Sequence, residues 1–424
     1  MRMRTFPRSL RVILASLVVV SAISLPAGAQ APEGAPARCV KGKAAGFPCH
    51  KIDLLAHVPL TAVEGGGVSD VWGWVDPDSG NEYAVLGGAG GVRFFDVTKP
   101  SAPVYLGRMV GKAEVALPWV EMEILNDHLY VVCDASPCGL QIFDLRRLAG
   151  VEAAVPVWRP DVFLPLGTFH TIAANPQTNH IFLNGPGVVV GTPLIFDVSV
   201  PLAPVPVGAM VDDGYTHDSL CRNYKGPDRS FKGHEICFNF NEDTVTIYDV
   251  TANPMQPEQL ARETYETADY VHSGALTKDH SYLISTDEGD ETSNGTPSTM
   301  YIWDVRKLTK PKMIGTFVAR SATVDHNVYS EANALYHANY VNGFRILDLA
   351  KASKAKLREV AWFDTVPESD RAEFSGAWAA YPYLPSGNVL IGDMSGAFFV
   401  VRPHDDVYRS LGVKRGKPSD VRPL

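Results

Sequence analysis

The stretch "PLIFDVSVPLAPVPVG", residues 193–208, decides the fold. A short apolar segment ends at Asp197, a turn follows, and a second segment is marked by three prolines at Pro201, Pro204 and Pro206. Proline breaks a helix, and the apolar residues do not recur at the helical period of 3.6. The stretch therefore predicts two β-strands joined by a turn.

The same pattern recurs along the chain at intervals of about 50 residues. Six copies end their apolar segment at an aspartate, and the last copy has Arg402 instead. The other copies are "GVRFFD" at 91, "GLQIFD" at 139, "TVTIYD" at 244, "MYIWD" at 300, "GFRILD" at 343 and "GAFFVVRP" at 396. A regular period of this length indicates one repeat array rather than several unrelated domains.

Each copy is preceded by two further strand-like segments and is usually followed by a fourth. Four short antiparallel strands per unit and seven units are typical of an all-β, seven-bladed β-propeller, which we place at residues 50–403. The last unit lacks a clear fourth strand. The segment "HKIDLLAHVPL", residues 50–60, precedes the first unit, and we expect it to pair with the last blade and close the ring. Two separate β-sandwiches are the alternative fold.

The N-terminus predicts export. Residues 1–29 carry arginines, then an apolar run, then the small-residue sequence "PAGA", which is the order of a cleaved signal peptide. A single membrane anchor is the alternative, but the apolar run is shorter than a span requires. We therefore expect a periplasmic or extracellular protein with no transmembrane span after signal removal. A polar tail, residues 404–424, ends the chain.

Six cysteines in an exported chain most simply form three disulfides. Spacing along the chain pairs Cys39 with Cys49 in an N-terminal segment, residues 30–49. The remaining predicted pairs are Cys133–Cys138 and Cys221–Cys237.

The net charge of −9 and the absence of basic clusters disfavour nucleic acid as a partner. A rigid propeller presents loops from all its blades on one face, where recognition commonly occurs. We therefore expect an unidentified protein or small ligand to bind the loop face, and we expect a monomer.

Four consecutive units begin their first strand with a histidine at the equivalent position: His170, His217, His272 and His326. The other three units offer Asp70, Trp119 and the stretch 375–378. Because the first strand of each blade lines the central channel, we expect the four imidazoles to converge at the channel mouth.

Neutral imidazoles are good ligands for zinc, copper or iron. The four histidines are therefore candidate metal ligands, with candidate additional or supporting ligands at Asp70, Asp218, Asp269 and Asp325. The alternative is a hydrogen-bonded plug in which the acids only offset the histidines. Both interpretations remain open at this point.

The loop "STDEGDETSNGTPST", residues 285–299, is expected at the same face. Its acidic residues, which define a rim acidic loop and suit a hard cation such as calcium, are Asp287, Glu288, Asp290 and Glu291. The spacing is not that of an EF-hand, and a solvated acidic loop is the alternative.

Catalytic templates are absent from the sequence. No GxSxG elbow occurs, and "GHEICF" at 233 lacks the second histidine of HExxH. His128, His180 and His280 follow turn residues and are interpreted as surface positions. We therefore predict a binding or interaction module with a metal or ligand site at the channel mouth. A metal-dependent enzyme, redox or hydrolytic, that uses the histidine cluster is the alternative.

Several long motifs resemble one family of exported proteins. "CHKIDLLAHVPL" at 49, "DVWGWVDPDSGNEYAVLG" at 70, "DDGYTHDSLCRNYKGPD" at 212 and "EICFNFNEDTVTIYDV" at 235 are similar to the choice-of-anchor B family, whose members carry LVIVD-type propeller repeats. The likeness runs from about Cys39 to Pro403. It implies export and a repeat fold, and it implies no established activity. The stretch "DVYRSLGVKRGKPSDVRPL", residues 406–424, departs from the family pattern because it shows no apolar anchor or sorting domain, and this argues against surface attachment.

Overall fold

A computed structural model describes residues 36–60, 66–110, 119–134, 138–188 and 191–415. The predicted signal peptide, residues 1–29, lies outside the described residues, as do residues 30–35 and 416–424. No helix in the described part of the chain has the length and apolar character needed to cross a membrane.

In the described part of the chain seven β-sheets surround a central channel, and each sheet is one blade. Three strands precede the first blade: β1 (Lys43–Ala44), β2 (Phe47–His50) and β3 (Ile52–Pro59). Blade 1 contains β4 (Val68–Val75), β5 (Glu82–Gly88), β6 (Val92–Asp96) and β7 (Val104–Met109). Blade 2 begins with β8 (Val120–Leu125), β9 (His128–Cys133) and β10 (Leu140–Asp144).

The next strands are β11 (Val155–Trp158) and β12 (Val162–Leu164). Blade 3 contains β13 (Thr171–Asn175), β14 (His180–Asn184), β15 (Leu194–Asp197) and β16 (Val205–Ala209). Blade 4 contains β17 (Asp218–Asn223), β18 (Glu235–Phe240), β19 (Val245–Asp249) and β20 (Glu258–Glu263).

Blade 5 contains β21 (Val271–Leu276), β22 (Tyr282–Asp287), β23 (Thr299–Asp304) and β24 (Lys312–Val318), with helix α1 (Asp290–Asn294) between β22 and β23. Blade 6 contains β25 (Val328–Glu331), β26 (Ala334–Ala338), β27 (Phe344–Asp348) and β28 (Arg358–Phe363). Blade 7 contains β29 (Ala377–Tyr381), β30 (Val389–Asp393) and β31 (Ala397–Pro403), and helix α2 (Asp405–Leu411) follows. Within the described ranges, 3-10 turns include those at Leu145–Leu148, Arg229–Phe231 and Ala352–Lys354.

The N-terminal strand closes the ring. Strand β3 pairs antiparallel with β31, from Ile52 opposite Pro403 to Pro59 opposite Ala397. Alternate residues of β3 are buried, so one face of this edge strand contributes to the core. The predicted closure of the last blade is confirmed, and the alternative of two β-sandwiches is wrong.

The repeated aspartate has a turn-forming role. In all six copies it is the last residue of the third strand, and its Oδ1 accepts a hydrogen bond from the backbone N–H two residues later. Asp197, for example, accepts from Ser199 at 2.7 Å. Such Asx turns direct the chain back into the fourth strand. Blade 7 takes its fourth strand from the N-terminus, so Arg402 has no such turn to form.

Two features of the sheets are not implied by the repeat. Strand β11 leaves the second unit and adds to the outer edge of blade 1, parallel to β7, while β12 completes blade 2. The N-terminal hairpin of β1 and β2 adds to the outer edge of blade 6 beside β28. The N-terminal segment therefore contacts two blades, since β3 belongs to blade 7.

The structure joins the same three cysteine pairs that the sequence predicts. Cys221 and Cys237 face each other across β17 and β18 inside blade 4. The other two pairs close short loops, at Cys39–Cys49 and Cys133–Cys138. The hydrophobic core is divided into clusters that lie between neighbouring blades, and this explains why one blade needs the next for its stability.

Candidate functional site

The four aligned histidines form a continuous arc at the channel mouth. His170, His217 and His326 lie just before the inner strands β13, β17 and β25, and His272 lies at the start of β21. The ring centroids are 4.3 Å apart between His170 and His217, 4.2 Å between His217 and His272, and 4.3 Å between His272 and His326. The repeat therefore places one imidazole on each of four consecutive blades among the seven around the channel.

Hydrogen bonds fix the tautomer of three of these rings. The Nδ1 atom of His170 lies 3.0 Å from Asp134 Oδ2, that of His217 lies 3.1 Å from the carbonyl oxygen of His272, and that of His326 lies 2.6 Å from the carbonyl oxygen of Trp378. Carboxylate and carbonyl oxygens only accept, so each Nδ1 donates its proton. The Nε2 atoms of the three rings then keep their lone pairs, which is the tautomer that metal-binding histidines adopt.

The two Nε2 atoms of His170 and His217 face each other at 2.7 Å. With both Nδ1 positions protonated, two lone pairs oppose each other at this distance, and that contact is repulsive. A proton shared between the rings removes the repulsion, and so does a cation that takes both nitrogens as ligands. The His170–His217 end of the arc therefore requires one additional positive charge, either a proton or a bound cation.

Glu288 lies at the other end of the arc. Its carboxylate oxygens are 3.6 Å from His272 Nε2 and 3.5 Å from His326 Nε2, and it accepts a hydrogen bond from the Tyr340 hydroxyl. Burial raises the pKa of Glu288 to about 7. The carboxylate thus faces two imidazoles in a site with little water.

Two imidazole nitrogens at the mouth have no hydrogen-bond partner among the described residues. They are Nδ1 of His272 and Nε2 of His326, and both side chains are at least nine-tenths buried. An unpaired polar atom in a buried site costs free energy, so it calls for an explanation. His217, His272 and Glu288 also each place a potential ligand atom within 4.8 Å of the other two.

Burial keeps the imidazoles of His217, His272 and His326 neutral. It lowers the pKa of His217 and of His272 well below the ordinary value, and the neighbouring imidazoles lower both further. Burial also lowers the pKa of His326 to about 3. The hydrogen bond from His170 holds the pKa of Asp134 below its usual range. At neutral pH these three imidazoles therefore present uncharged nitrogen ligands near the Asp134 carboxylate.

Aromatic rings form the rest of the mouth. Trp378 packs on His326 with ring centroids 4.7 Å apart and stacks on Trp119 at 5.0 Å. Both tryptophans come from blades whose inner strand does not begin with a histidine, at or near the positions that correspond to the histidines in the other blades. Apolar rings on this side exclude water from the imidazole arc.

The loops that follow the second strands supply residues that contact the histidine arc. The repeat pattern does not predict these contacts. Asp134 directly follows β9, Glu288 directly follows β22, and Tyr340 lies two residues after β26. These loops reach the face where the inner strands begin. In the sequence, these residues can be recognised only by their position just after a second strand.

The predicted acids do not all lie with the histidines. Asp70 and Asp218 line the channel below the arc, where each Oδ1 accepts from the next backbone N–H at 2.7 Å. Glu121 and Glu123 line the same cavity, which measures about 950 Å³ with its open ends. Burial raises the pKa of Asp70 to about 7 and that of Asp218 to about 6, because the surrounding protein disfavours the charged form of each carboxyl group.

Most of the rim acidic loop is buried rather than solvated. Asp287, Asp290 and Glu291 are at most 3% exposed, and the backbone N–H of Asp287 donates to Asp325 Oδ1 at 3.1 Å. Burial and then the Asp290 charge raise the pKa of Glu291 to about 9. These four acids form a cluster beside the mouth. Asp269 is exposed and, in the described ranges, its carboxylate bonds none of the four histidines.

The surface assignment of two further histidines is wrong. His128 is 5% exposed, and its Nδ1 lies 2.6 Å from the carbonyl oxygen of Asn126. His180 lies 2.8 Å from the buried carboxylate of Glu235. Second strands lie inside each blade, so a residue at their start is covered by the adjacent blade.

Comparison with known proteins supports the fold. A solved structure described as the WD40 β-propeller domain of Doa1 is 13% identical, with a TM-score of 0.56, and the match covers 84% of this chain and 98% of that chain. This likeness shows the fold alone. No family model matches the chain, and no curated protein matches it.

Proposed function

We propose that this protein is an exported β-propeller that binds one transition-metal ion at the channel mouth and serves as a binding module rather than an enzyme. The observation that carries the proposal is the grouping of His217, His272 and Glu288 ligand atoms within 4.8 Å. Ligand atoms that lie this close together can coordinate a single ion, whose ligand distances are about 2.0–2.2 Å.

The donor set favours a transition metal over calcium. Imidazole nitrogen with one carboxylate oxygen suits zinc, copper or iron, whereas calcium takes six to eight oxygen ligands. His170 and His326 lie next to this set on either side, so they are the candidates for a further ligand. Asp134 and the Trp378 carbonyl orient these two rings, as supporting groups orient metal-binding histidines.

A bound cation also explains the electrostatics of the mouth. It would take up the opposed lone pairs of His170 and His217 and the unpaired His272 nitrogen. It would offset the burial of the Glu288 carboxylate as well. A hydrogen-bonded plug with a proton shared between His170 and His217 would satisfy that pair, but it would leave His272 Nδ1 without a partner among the described residues.

Export and family membership belong to the same proposal. The signal-like residues 1–29 and three disulfides are compatible with an oxidising compartment. The long shared motifs support placement with the choice-of-anchor B family. The loop face around the mouth is where we propose that a protein or small ligand binds.

Metal analysis of protein purified without a histidine tag tests the proposal. We expect about one zinc or copper ion per chain after incubation with the metal and removal of excess. The double variant H217A/H272A should lose that ion, because two of its ligands are removed. The variant should still fold. The matched control is H50A, since His50 is exposed on β2 away from the mouth. Wild-type protein that folds and retains no metal would overturn the proposal.

A further inference from the structure

A second cavity lies at the end of the channel opposite the mouth. The histidines stand at the starts of the inner strands, whereas this cavity is lined by residues at or just beyond strand ends, such as Arg222 of β17, Leu276 of β21 and Glu331 of β25. It measures about 980 Å³ with its open end. It shares Arg222 with the central cavity, so the two spaces meet at that side chain.

The lining of this second cavity is positively charged. Arg222, Lys225 and Lys278 belong to it. The one acid in the lining is Glu331, and its carboxylate accepts from Arg415 Nη1 at 2.7 Å, which balances its charge within the wall. An excess of cations in one cavity of a chain with net charge −9 points to an anionic ligand.

Arg222 is held in place with donors to spare. Its Nη1 donates to the carbonyl oxygens of Ala174 at 2.8 Å and Cys221 at 2.7 Å. These are the hydrogen bonds of its guanidinium to described residues, so the Nε and Nη2 hydrogens remain for a ligand. Burial lowers the pKa of Arg222 even though the nearby Glu123 charge acts in the opposite direction, so a desolvation cost remains that an anion in the cavity would reduce.

His280 adds a neutral donor to the same wall. Its Nδ1 accepts from the backbone N–H of Lys225 at 3.2 Å, so its Nε2 carries the proton. The backbone holds this residue at a φ of 53°, in the left-handed region. Burial lowers the pKa of His280 to about 4, with the nearby Lys225 charge as the next cause.

We infer that this cavity binds a small oxyanion of the carboxylate or phosphate class, with Arg222 as its anchor and Lys225 and Lys278 as flanking charges. The planar guanidinium fork matches the two oxygens of either group, and two lysines supply charge without fixed geometry. This inference is independent of the metal proposal, because it uses no residue of the mouth.

Isothermal titration calorimetry at low ionic strength tests the inference, with inorganic phosphate in one arm and citrate in the other. Wild-type protein should bind at least one of the two at a single site, and the tighter arm identifies the class. R222Q should weaken binding by about tenfold or more, since it removes the charge and the fork. K278Q and K225Q should each weaken it by about threefold.

Matched variants make the result decisive. Lys225 and Lys278 are exposed, so their substitution leaves the fold intact even if R222Q unfolds. K354Q removes an exposed lysine from the 3-10 turn of blade 6 and should leave anion binding unchanged. H217A/H272A should also leave it unchanged, which separates this site from the metal site. Failure of both anions to bind, or equal binding by K225Q, K278Q and wild type, would overturn the inference.

Discussion

Single side chains at the channel mouth determine what the site can bind. Three acceptors, Asp134 and the carbonyl oxygens of His272 and Trp378, each accept a hydrogen bond from the Nδ1–H of a histidine. The opposite nitrogen of each ring is thereby left as a ligand. The chemistry of the mouth thus depends on backbone carbonyls as much as on the imidazoles themselves.

The buried acid cluster predicts a pH-dependent effect of one substitution. Burial and the Asp290 charge raise the pKa of Glu291 from 4.5 to about 9, so the folded state keeps a proton that the unfolded state loses. Stability contributed by this group therefore falls as pH rises between those values. Glu291→Gln removes that dependence. We expect its free energy of unfolding, relative to wild type, to increase steadily from pH 5 to pH 8.

Urea denaturation at several pH values measures this difference. The control is Glu258→Gln, since Glu258 is exposed on β20 and its substitution should shift stability by a similar small amount at each pH. A stability difference for E291Q that stays constant with pH would show that Glu291 is ionised in the folded state across this range.

The histidines illustrate what a repeat sequence can and cannot reveal about a site. Equivalent positions of successive repeats lie on equivalent strands, so aligning the repeats was enough to place His170, His217, His272 and His326 in one layer. Glu288 was assigned to an acidic rim without its contact to two of them. Loops differ in length between blades, and no repeat equivalence fixes where a loop side chain points.

Within the blades, the strands follow from the repeated pattern of short apolar segments and turns. Each third strand ends at the predicted aspartate because the Asx turn is built by that residue alone. Strand β11 and the hairpin of β1 and β2 were not predicted. These segments have no counterpart in the other units, so the sequence held no information on their pairing partners.

The closing strand predicts a large effect of one truncation. Removing residues 36–60 takes away both the hairpin on blade 6 and β3 on blade 7. Strand β3 buries the apolar side chains of Ile52, Leu54, Ala56 and Val58. Each of the larger side chains contributes about 1.5–3 kcal/mol to the stability of the folded protein when it is buried. The truncated protein should therefore show no cooperative thermal transition near the midpoint temperature of the wild type.

The matched control keeps β3 and removes only residues 36–49. Its loss of stability should be clearly smaller, because the hairpin covers one outer edge and the ring stays closed. Differential scanning calorimetry of the two truncations and the wild type gives the comparison. Equal midpoints for the two truncations would contradict the closure of the ring by β3.

The whole ring has two chemically different ends. One end gathers imidazoles and Glu288, the other gathers Arg222 and two lysines, and acids such as Asp70 and Asp218 line the space between them. Inner strands that all run in the same direction create this polarity, because strand starts meet at one face and strand ends at the other. A single channel thereby offers a cation site and an anion site.

Anomalous diffraction from crystals grown with zinc, measured at the zinc absorption edge, tests the central claim most directly. The proposed site predicts one dominant peak at the channel mouth, within bonding distance of His217, His272 and Glu288. Crystals that contain zinc but show no peak among these three side chains would contradict it.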